Sequence, residues 1–477
     1  MSTPTGVRGP GERRRRDAPG SLDYHAAVRA MRDRGRFGVR LGLERTRALL
    51  AELGDPQRSF RGALVAGTNG KGSVLALAGS ALRAAGYRVG ETPKPHLVSY
   101  RERIQVDGSP IAADDFAALV SDVLAVADRV GPDLGPATEF ELLTAAMFRW
   151  FADRRVEVAI VEVGLGGRLD ATHAWDGGVA VVTNVELDHT DRLGSTVEAI
   201  AREKAAIIER GDVAVTGATG SALEVVRARA RALGASLRVV APAALLGWDR
   251  DGIDVAVGEL GPTRVGLRGR HQAANAAVAD ALLDALAVAG IATAPADARR
   301  EGYRDARWPG RLELVIHDGR EILLDGAHNP AGAAALAQAV DDLRPFLVGG
   351  REGHAPAVTL VIGAMADKDI DGVLDALFRS AHLGGAHVVA TAVAAERALP
   401  ADVLAARVAA RLPGSRVRVV PGAAGALAAA LAAADGPIVV AGSLYLVGEI
   451  RALIVDDPDL RDPPPVDPGP LDAASPG

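Results

Sequence analysis

Residues 67–73 read GTNGKGS. Glycines at this density let backbone N–H groups face an anion, and a helix starting here adds the positive end of its dipole. Lys71 would then reach the outer phosphates of a nucleotide, with Ser73 as a metal ligand. The strict phosphate-loop pattern fails at two points: Val65 stands where glycine is usual, and Gly72 separates Lys71 from Ser73. Lysine is itself informative. Of 54 Lys and Arg residues only four are lysine: Lys71, Lys94, Lys204 and Lys368. Where a positive charge suffices this chain uses arginine, so its lysines mark places that need a compact or titratable ammonium.

The run VAIVE ends on Glu162. A buried strand that delivers a carboxylate at its C-terminal end is the usual second half of a nucleotide–metal site. Residues 187–209, LDHTDRLGSTVEAIAREKAAIIE, carry His189 and Lys204. Ser195 and Glu198 have capping-box spacing, which predicts a helix start at Ser195. On that helix Lys204 shares the apolar stripe of Ile200, Ile207 and Ile208. A buried lysine tends to lose its proton, and the neutral amine can add carbon dioxide to become an anionic carbamate. On these residues alone, a lysine snorkelling from the helix edge is the simpler reading. His189 by itself reads more simply as a surface or core histidine than as a ligand.

These side chains need elements to carry them. ALVAG (63–67) predicts a buried strand, and 71–85 a helix closed by Gly86. VEVAIVEVG (156–164) and VAVVTN (179–184) predict two more strands. Further strands start at EILLD (321–325), VTLVIGA (358–364) and PIVVAGS (437–443). Strands alternating with helices define an α/β protein. Pro309 and Gly310 interrupt the pattern within DARWPGRLE (305–313). The expected layout is a disordered leader (1–22), a phosphate-loop ATP-binding domain (23–308), a smaller Rossmann-like α/β domain (309–460) and a disordered Pro-rich tail (461–477).

Composition narrows the class. The chain has 477 residues, 48% hydrophobic and 24% charged, with a net charge of −6. That balance excludes a general nucleic-acid binder, and the run Arg13–Arg16 reads as a solvated tail. The absence of cysteine removes disulfides, thiolate nucleophiles and Cys-based zinc sites. No apolar segment follows the N-terminal arginines as in a signal peptide, and no run reaches the ~18 residues of a membrane helix. A cytoplasmic monomer with no membrane or nucleic-acid partner is expected.

The motifs also occur in a telling order. LGLER (41–45), GTNGKGS (67–73), PHLVSYRERI (95–104) and TEFE (138–141) come first. EVGLGGRLDAT (162–172), LDHT (187–190), REKA (202–205) and RHQAANA (270–276) follow. PGR (309–311), DGAHNP (325–330), DKD (367–369) and GSLY (442–445) close the series. This set resembles the folylpolyglutamate synthase/dihydrofolate synthase family of the Mur ligase superfamily over about residues 25–455.

The resemblance implies a Mur-ligase-type ATPase domain followed by the Rossmann-like domain. It implies a ligase in which ATP phosphorylates an acceptor carboxylate, on dihydropteroate or a reduced folate. The acyl phosphate is then attacked by L-glutamate. It places Thr68, Asn69, Gly70, Lys71, Gly72 and Ser73 on the phosphates, and Asn275, Arg311 and Asp325 on the nucleotide. It makes Glu162 and His189 ligands to one or two magnesium ions, with Lys204 a carbamate that supports the second. It sets His328 beside the reacting centre and Thr138, Phe140 and Asp170 on the pterin. One position departs: the family usually has a magnesium-binding serine before PH, and here it is Lys94. An ammonium cannot ligate magnesium. The expectation is that Lys94 replaces part of that metal's charge beside the β/γ-phosphates. Two other readings stay open: a paralogous ligase for another carboxylate, and a nucleotide switch, which needs only the phosphate loop.

Overall fold

The computed structural model describes residues 22–35, 42–347, 357–412, 417–433 and 436–464. The leader over 1–21 and the tail over 465–477 therefore lie outside the described residues. The first sheet comprises β1 (Arg61–Ala66), β2 (Val89–Thr92), β3 (Gln105–Val106), β4 (Ser109–Pro110), β5 (Val158–Glu162), β6 (Gly178–Val182), β7 (Val213–Thr216) and β8 (Ser236–Val239). Their spatial order is β4-β3-β2-β5-β1-β6-β7-β8, parallel from β2 to β8. β5 is buried along its whole length and β1 along all but its first residue, as continuous Val/Ile/Ala runs require when both faces are covered.

One face packs under the helices Tyr24–Gly35, Ala113–Leu134 and Glu139–Asp153, through Met31, Phe116, Phe148 and Phe151. The other packs under Lys71–Ala84 and Gln272–Val288, through Leu75, Leu82 and Leu282. A small antiparallel sheet covers part of that second face: β9 (Ala244–Asp249), β10 (Gly252–Val257) and β11 (Gly261–Val265). No motif in the sequence announced it, because β9 alternates exposed and half-buried residues and carries little apolar signal.

The last sheet holds β12 (Glu313–His317), β13 (Arg320–Leu324), β14 (Thr359–Ile362), β15 (His387–Ala390), β16 (Val417–Val419) and β17 (Ile438–Ala441). Its order is β12-β13-β17-β14-β15-β16, with only β12 antiparallel. Pro330–Leu343, Ile370–Leu377 and Ala401–Arg411 cover one face, Ala423–Leu431 and Leu444–Ile454 the other. Among the described residues no strand pairing joins this sheet to the others, and the chain crosses to it between Asp305 and Glu313.

Two local expectations need correction. The helix after Ser195 is capped one residue later, by Thr196, whose hydroxyl accepts the Ala199 N–H at 3.2 Å. Thr196 has the extended backbone a cap requires, so Glu198 falls at the second helical position rather than the third. The start of the Pro-rich tail is ordered, not loose. Arg101 donates to the Arg461 carbonyl at 2.8 Å, and Asp462 accepts the Ser99 hydroxyl at 2.5 Å. His25 meets the Pro463 carbonyl at 2.7 Å, so residues 461–463 lie on the first domain. Among the described residues no helix is long and apolar enough to cross a membrane.

Candidate active site

β1 lies between β5 and β6, so the loops after all three strands open on one edge of the sheet. That edge is where parallel sheets bind ligands. The register pairs Val65 with Glu162, which sets the carboxylate beside the start of the phosphate loop. Gly70 closes the loop at φ +82° and caps the helix Lys71–Ala84; a Cβ there would strike the Asn275 side chain at 2.2 Å. Gly72 answers the departure from the strict motif, because a Cβ there would lie 2.3 Å from the Trp308 indole. The linker tryptophan covers the first turn of the helix, so only glycine fits beneath it.

The loop is pinned from β6. The Asn69 N–H donates to Asn184 Oδ1 at 2.8 Å, and Thr183 Oγ1 donates to the Asn69 carbonyl at 2.7 Å. Thr68 Oγ1 accepts the Glu186 N–H at 3.0 Å. Lys71 Nζ donates to the Gly67 and Thr68 carbonyls at 3.0 and 3.2 Å and lies 3.9 Å from Glu162. It rests on its own loop, within reach of an incoming phosphate. Burial pushes the Glu162 carboxyl up, and Lys71 with the Lys94 N–H opposes that rise.

Lys204 is buried, and its Nζ donates to the Gly67 carbonyl at 2.9 Å. The snorkelling alternative therefore fails: the amine points into the site. Burial, reinforced by the Lys71 charge, lowers its pKa to about 7. A substantial neutral fraction at neutral pH is what carbamylation needs. Among the described residues no three His, Asp or Glu side chains form a metal cluster. Magnesium on a nucleotide takes most of its ligands from phosphate and water, with one or two from protein. Glu162 and Ser73 on the wall of the nucleotide cavity fit that smaller demand.

His189 lines the same cavity, but its Nε2 faces Lys368 Nζ at 3.3 Å. Lys368 also pairs with Asp188 at 3.1 Å, and Asn329 Nδ2 donates to Asp188 Oδ2 at 3.2 Å. Burial alone would raise Asp188, but Lys368 and His189 overcome it and hold the carboxyl at about 2. This cluster joins the two domains across the cleft. Asp188 and Asn329 went without a role in the sequence reading, although both lie in motifs it singled out, LDHT and DGAHNP. Their partners are distant in sequence, so only the folded chain shows the pairing.

Arg311, Asp325 and His328 line the nucleotide cavity from the second domain. Asp325 accepts the Leu312 and Ala327 N–H groups, each at 2.9 Å, so it braces the loops that carry Arg311 and His328. His328 Nδ1 meets the Gly326 carbonyl at 2.8 Å. A carbonyl can only accept, so Nδ1 carries the proton and Nε2 is left as an acceptor. Burial, helped by the Lys368 charge, lowers His328 to about 4 and keeps the ring neutral.

The nucleotide cavity, about 520 Å³, opens beside a larger one of about 1340 Å³. Phe140, Gly164 and Leu165 wall both. Thr138 and Asp170 line the larger cavity and work through the backbone. Thr138 caps the helix Glu139–Asp153 in a capping box with Glu141. Asp170 accepts N–H groups from Gly164, Leu165 and Thr172 at 3.0, 2.9 and 3.0 Å, and the Thr172 hydroxyl at 2.5 Å. Lys94 lines the nucleotide cavity. Its backbone N–H donates to Glu162 at 3.0 Å, but its ammonium lies 4.5 Å from the centre of the Phe140 ring. The desolvated ring face attracts the cation, and that ring walls both cavities.

Comparison with known proteins adds to this geometry. Residues 65–283 match the family model of the Mur ligase middle domain, and residues 312–453 that of the dihydrofolate synthetase C-terminal domain. A dihydrofolate synthase/folylpolyglutamate synthase of Mycobacterium tuberculosis is 36% identical, covering 87% of this chain and 90% of its own length. A probable bifunctional folylpolyglutamate synthase/dihydropteroate synthase of Haloferax volcanii is also 36% identical over 90% of this chain. The chain spans 50% of the length of that archaeal protein. The solved M. tuberculosis folylpolyglutamate synthase complexed with ADP and AMPPCP superposes with a TM-score of 0.80 at 33% identity. That match covers 93% of this chain and all of the other.

Proposed function

Since the chain belongs to the folylpolyglutamate synthase/dihydrofolate synthase family, we propose that it is an ATP-dependent ligase joining L-glutamate to dihydropteroate or a reduced folate. The observation that carries this reading is the shared wall of the two cavities. A phosphate loop opens into one, and a pocket lined by Phe140 large enough for a pterin opens beside it. A carboxylate entering from the larger cavity meets the end of a triphosphate at their junction.

A carboxylate is a poor electrophile, and bringing it to ATP sets anion against anion. The loop N–H groups, Lys71 and Arg311 offset that charge and align the transfer. Glu162 and Ser73 would hold a magnesium ion, which would supply further charge neutralisation. Lys204, as a carbamate, would serve a second ion, and His189 would join it on turning its Nε2 from Lys368. The carboxylate oxygen takes the γ-phosphoryl group and ADP leaves. The glutamate amine then attacks the acyl carbon, the C–N bond forms, and phosphate departs with the former carboxylate oxygen. Neutral His328 offers Nε2 as an acceptor to the incoming amine. The cross-domain contacts of Asp188, Lys368 and Asn329 hold the cleft closed, which keeps water from the acyl phosphate.

A nucleotide switch would leave the larger cavity and the second domain's side chains without work. The test is ADP formation with a panel of acceptors, followed by product mass. Sustained ADP formation should require acceptor and glutamate together, and the product should gain one glutamyl group. Steady ADP formation with neither would overturn the reading.

A further inference from the structure

We propose that Lys94 is a specificity-determining residue whose ammonium binds the reacting carboxylate of the acceptor at the neck between the two cavities. This rests on the ligase reading above.

The Lys94 Nζ is shielded from solvent and has no hydrogen-bond partner among the described residues. It stands over the Phe140 ring at 4.5 Å, with the Asp170 and Glu162 carboxylates acting on it without a hydrogen bond. A cation over a ring gains a modest electrostatic attraction. Three unmade hydrogen bonds to a charged donor cost more than that. A ligand that supplies an anion would therefore complete the site. No protein carboxylate does so. Asp170 is committed to four donors of its own, and Glu162 accepts the Lys94 backbone N–H rather than its ammonium.

The backbone around Lys94 is fixed, so the side chain is placed rather than loose. Glu102 accepts the N–H groups of Leu97, Val98 and Ser99 at 2.9, 2.6 and 2.6 Å. Arg103 Nε donates to His96 Nδ1 at 2.8 Å. The Lys94 N–H bond to Glu162 ties the stem to the end of β5, one strand from the phosphate loop. From that anchor the ammonium lies on the face of Phe140, the ring that walls both cavities. An aryl carboxylate carried past Phe140 toward the nucleotide must pass this cation. The phosphates already have Lys71 and the loop N–H groups, and of the other cations that line the larger cavity Lys368 is paired with Asp188 and Arg397 with Asp367.

The experiment compares equilibrium binding of dihydropteroate and of its carboxamide, in the presence of AMPPCP and magnesium. It uses the full chain, Lys94→Met, and Lys94→Ser in case the methionine variant does not fold. The parent should prefer the carboxylate by about ten- to hundredfold. In the variants that preference should vanish, with carboxamide and AMPPCP affinities within about twofold of the parent. A carboxylate preference that persists in the variants overturns the role of Lys94. So does a variant whose loss is in AMPPCP affinity instead, since that would place the ammonium on the phosphates. A parent that binds neither pterin and forms no amide product overturns the ligase reading itself, and the Lys94 assignment falls with it.

Discussion

At the scale of single residues, burial decides what the charged groups can do. Lys204 is 6% exposed and its pKa falls to about 7, beside a second cation, Lys71. A neutral amine in that place is open to carbon dioxide. Lys204→Ala should lower turnover about a hundredfold or more, and acetate should restore part of it by supplying the missing carboxylate. Intact mass of the parent in bicarbonate should show one added carbon dioxide; an unmodified chain with no acetate rescue would rule the carbamate out. Asp212 shows the same physics away from the site. Burial lifts it to about 7, with Asp176 adding to the rise and the Glu209 N–H opposing it. The folded pKa lies above the unfolded one, near 4, so this group's stabilisation is complete below about pH 4 and is lost as pH rises through about 7. Asp212→Asn keeps an acceptor for the Glu209 N–H, which Asp212 now takes at 2.8 Å. It should raise stability on the order of 1–3 kcal/mol at pH 8 and much less at pH 5. An equal gain at both pH values in thermal unfolding would contradict the shift.

At the scale of elements, the helix Lys71–Ala84 positions the site, and its packing is what keeps Lys71 in place. Gly302 on the helix Ala296–Asp305 meets it at its closest point; a Cβ there would lie 2.4 Å from the Ala81 Cα. Backbone cannot give way as a side chain can. Gly302→Ala should cost about 1–3 kcal/mol, read as a lower denaturation midpoint. Gly131→Ala, on the helix Ala113–Leu134 with no neighbouring element against it, should change stability by less than about 1 kcal/mol, because the gain in helix propensity is offset by the ring of Pro132 that follows. Equal effects would mean that helix contact is not the cause. Much of this layer was legible in the sequence. The strand before the phosphate loop, the helix after it and the strand ending on Glu162 all carry local apolar patterns and stand as expected. The small β9–β11 sheet and the docked segment 461–463 were not legible. Their stability comes from partners far along the chain, not from a local period. The Thr196 cap was missed by one residue because Ser195 and Thr196 are chemically equivalent caps, and backbone geometry alone chooses between them.

At the scale of the whole molecule, the cleft depends on how closely the domains meet. Leu97, in the loop that follows Lys94, packs on the helix Leu444–Ile454 of the second domain. A Cβ on Gly448 would lie 1.9 Å from the Leu97 carbonyl oxygen. Gly448→Ala should wedge the domains apart and lower kcat about ten- to hundredfold, with the unfolding transition of the chain little changed. Parental kcat in that variant would show that closure is not set at this contact. This long-range layer is where the sequence was least informative. It offered Lys368 and His328 as parts of motifs, but the pairing of Lys368 with Asp188 exists only when the domains face each other. In the proposed reaction a phosphoryl group passes across the shared wall of the two cavities onto a carboxylate. Labelling that carboxylate with oxygen-18 tests this most directly. One labelled oxygen should appear in inorganic phosphate for each amide formed with L-glutamate, because the carboxylate oxygen leaves with the phosphoryl group. Amide product with unlabelled phosphate would contradict the account.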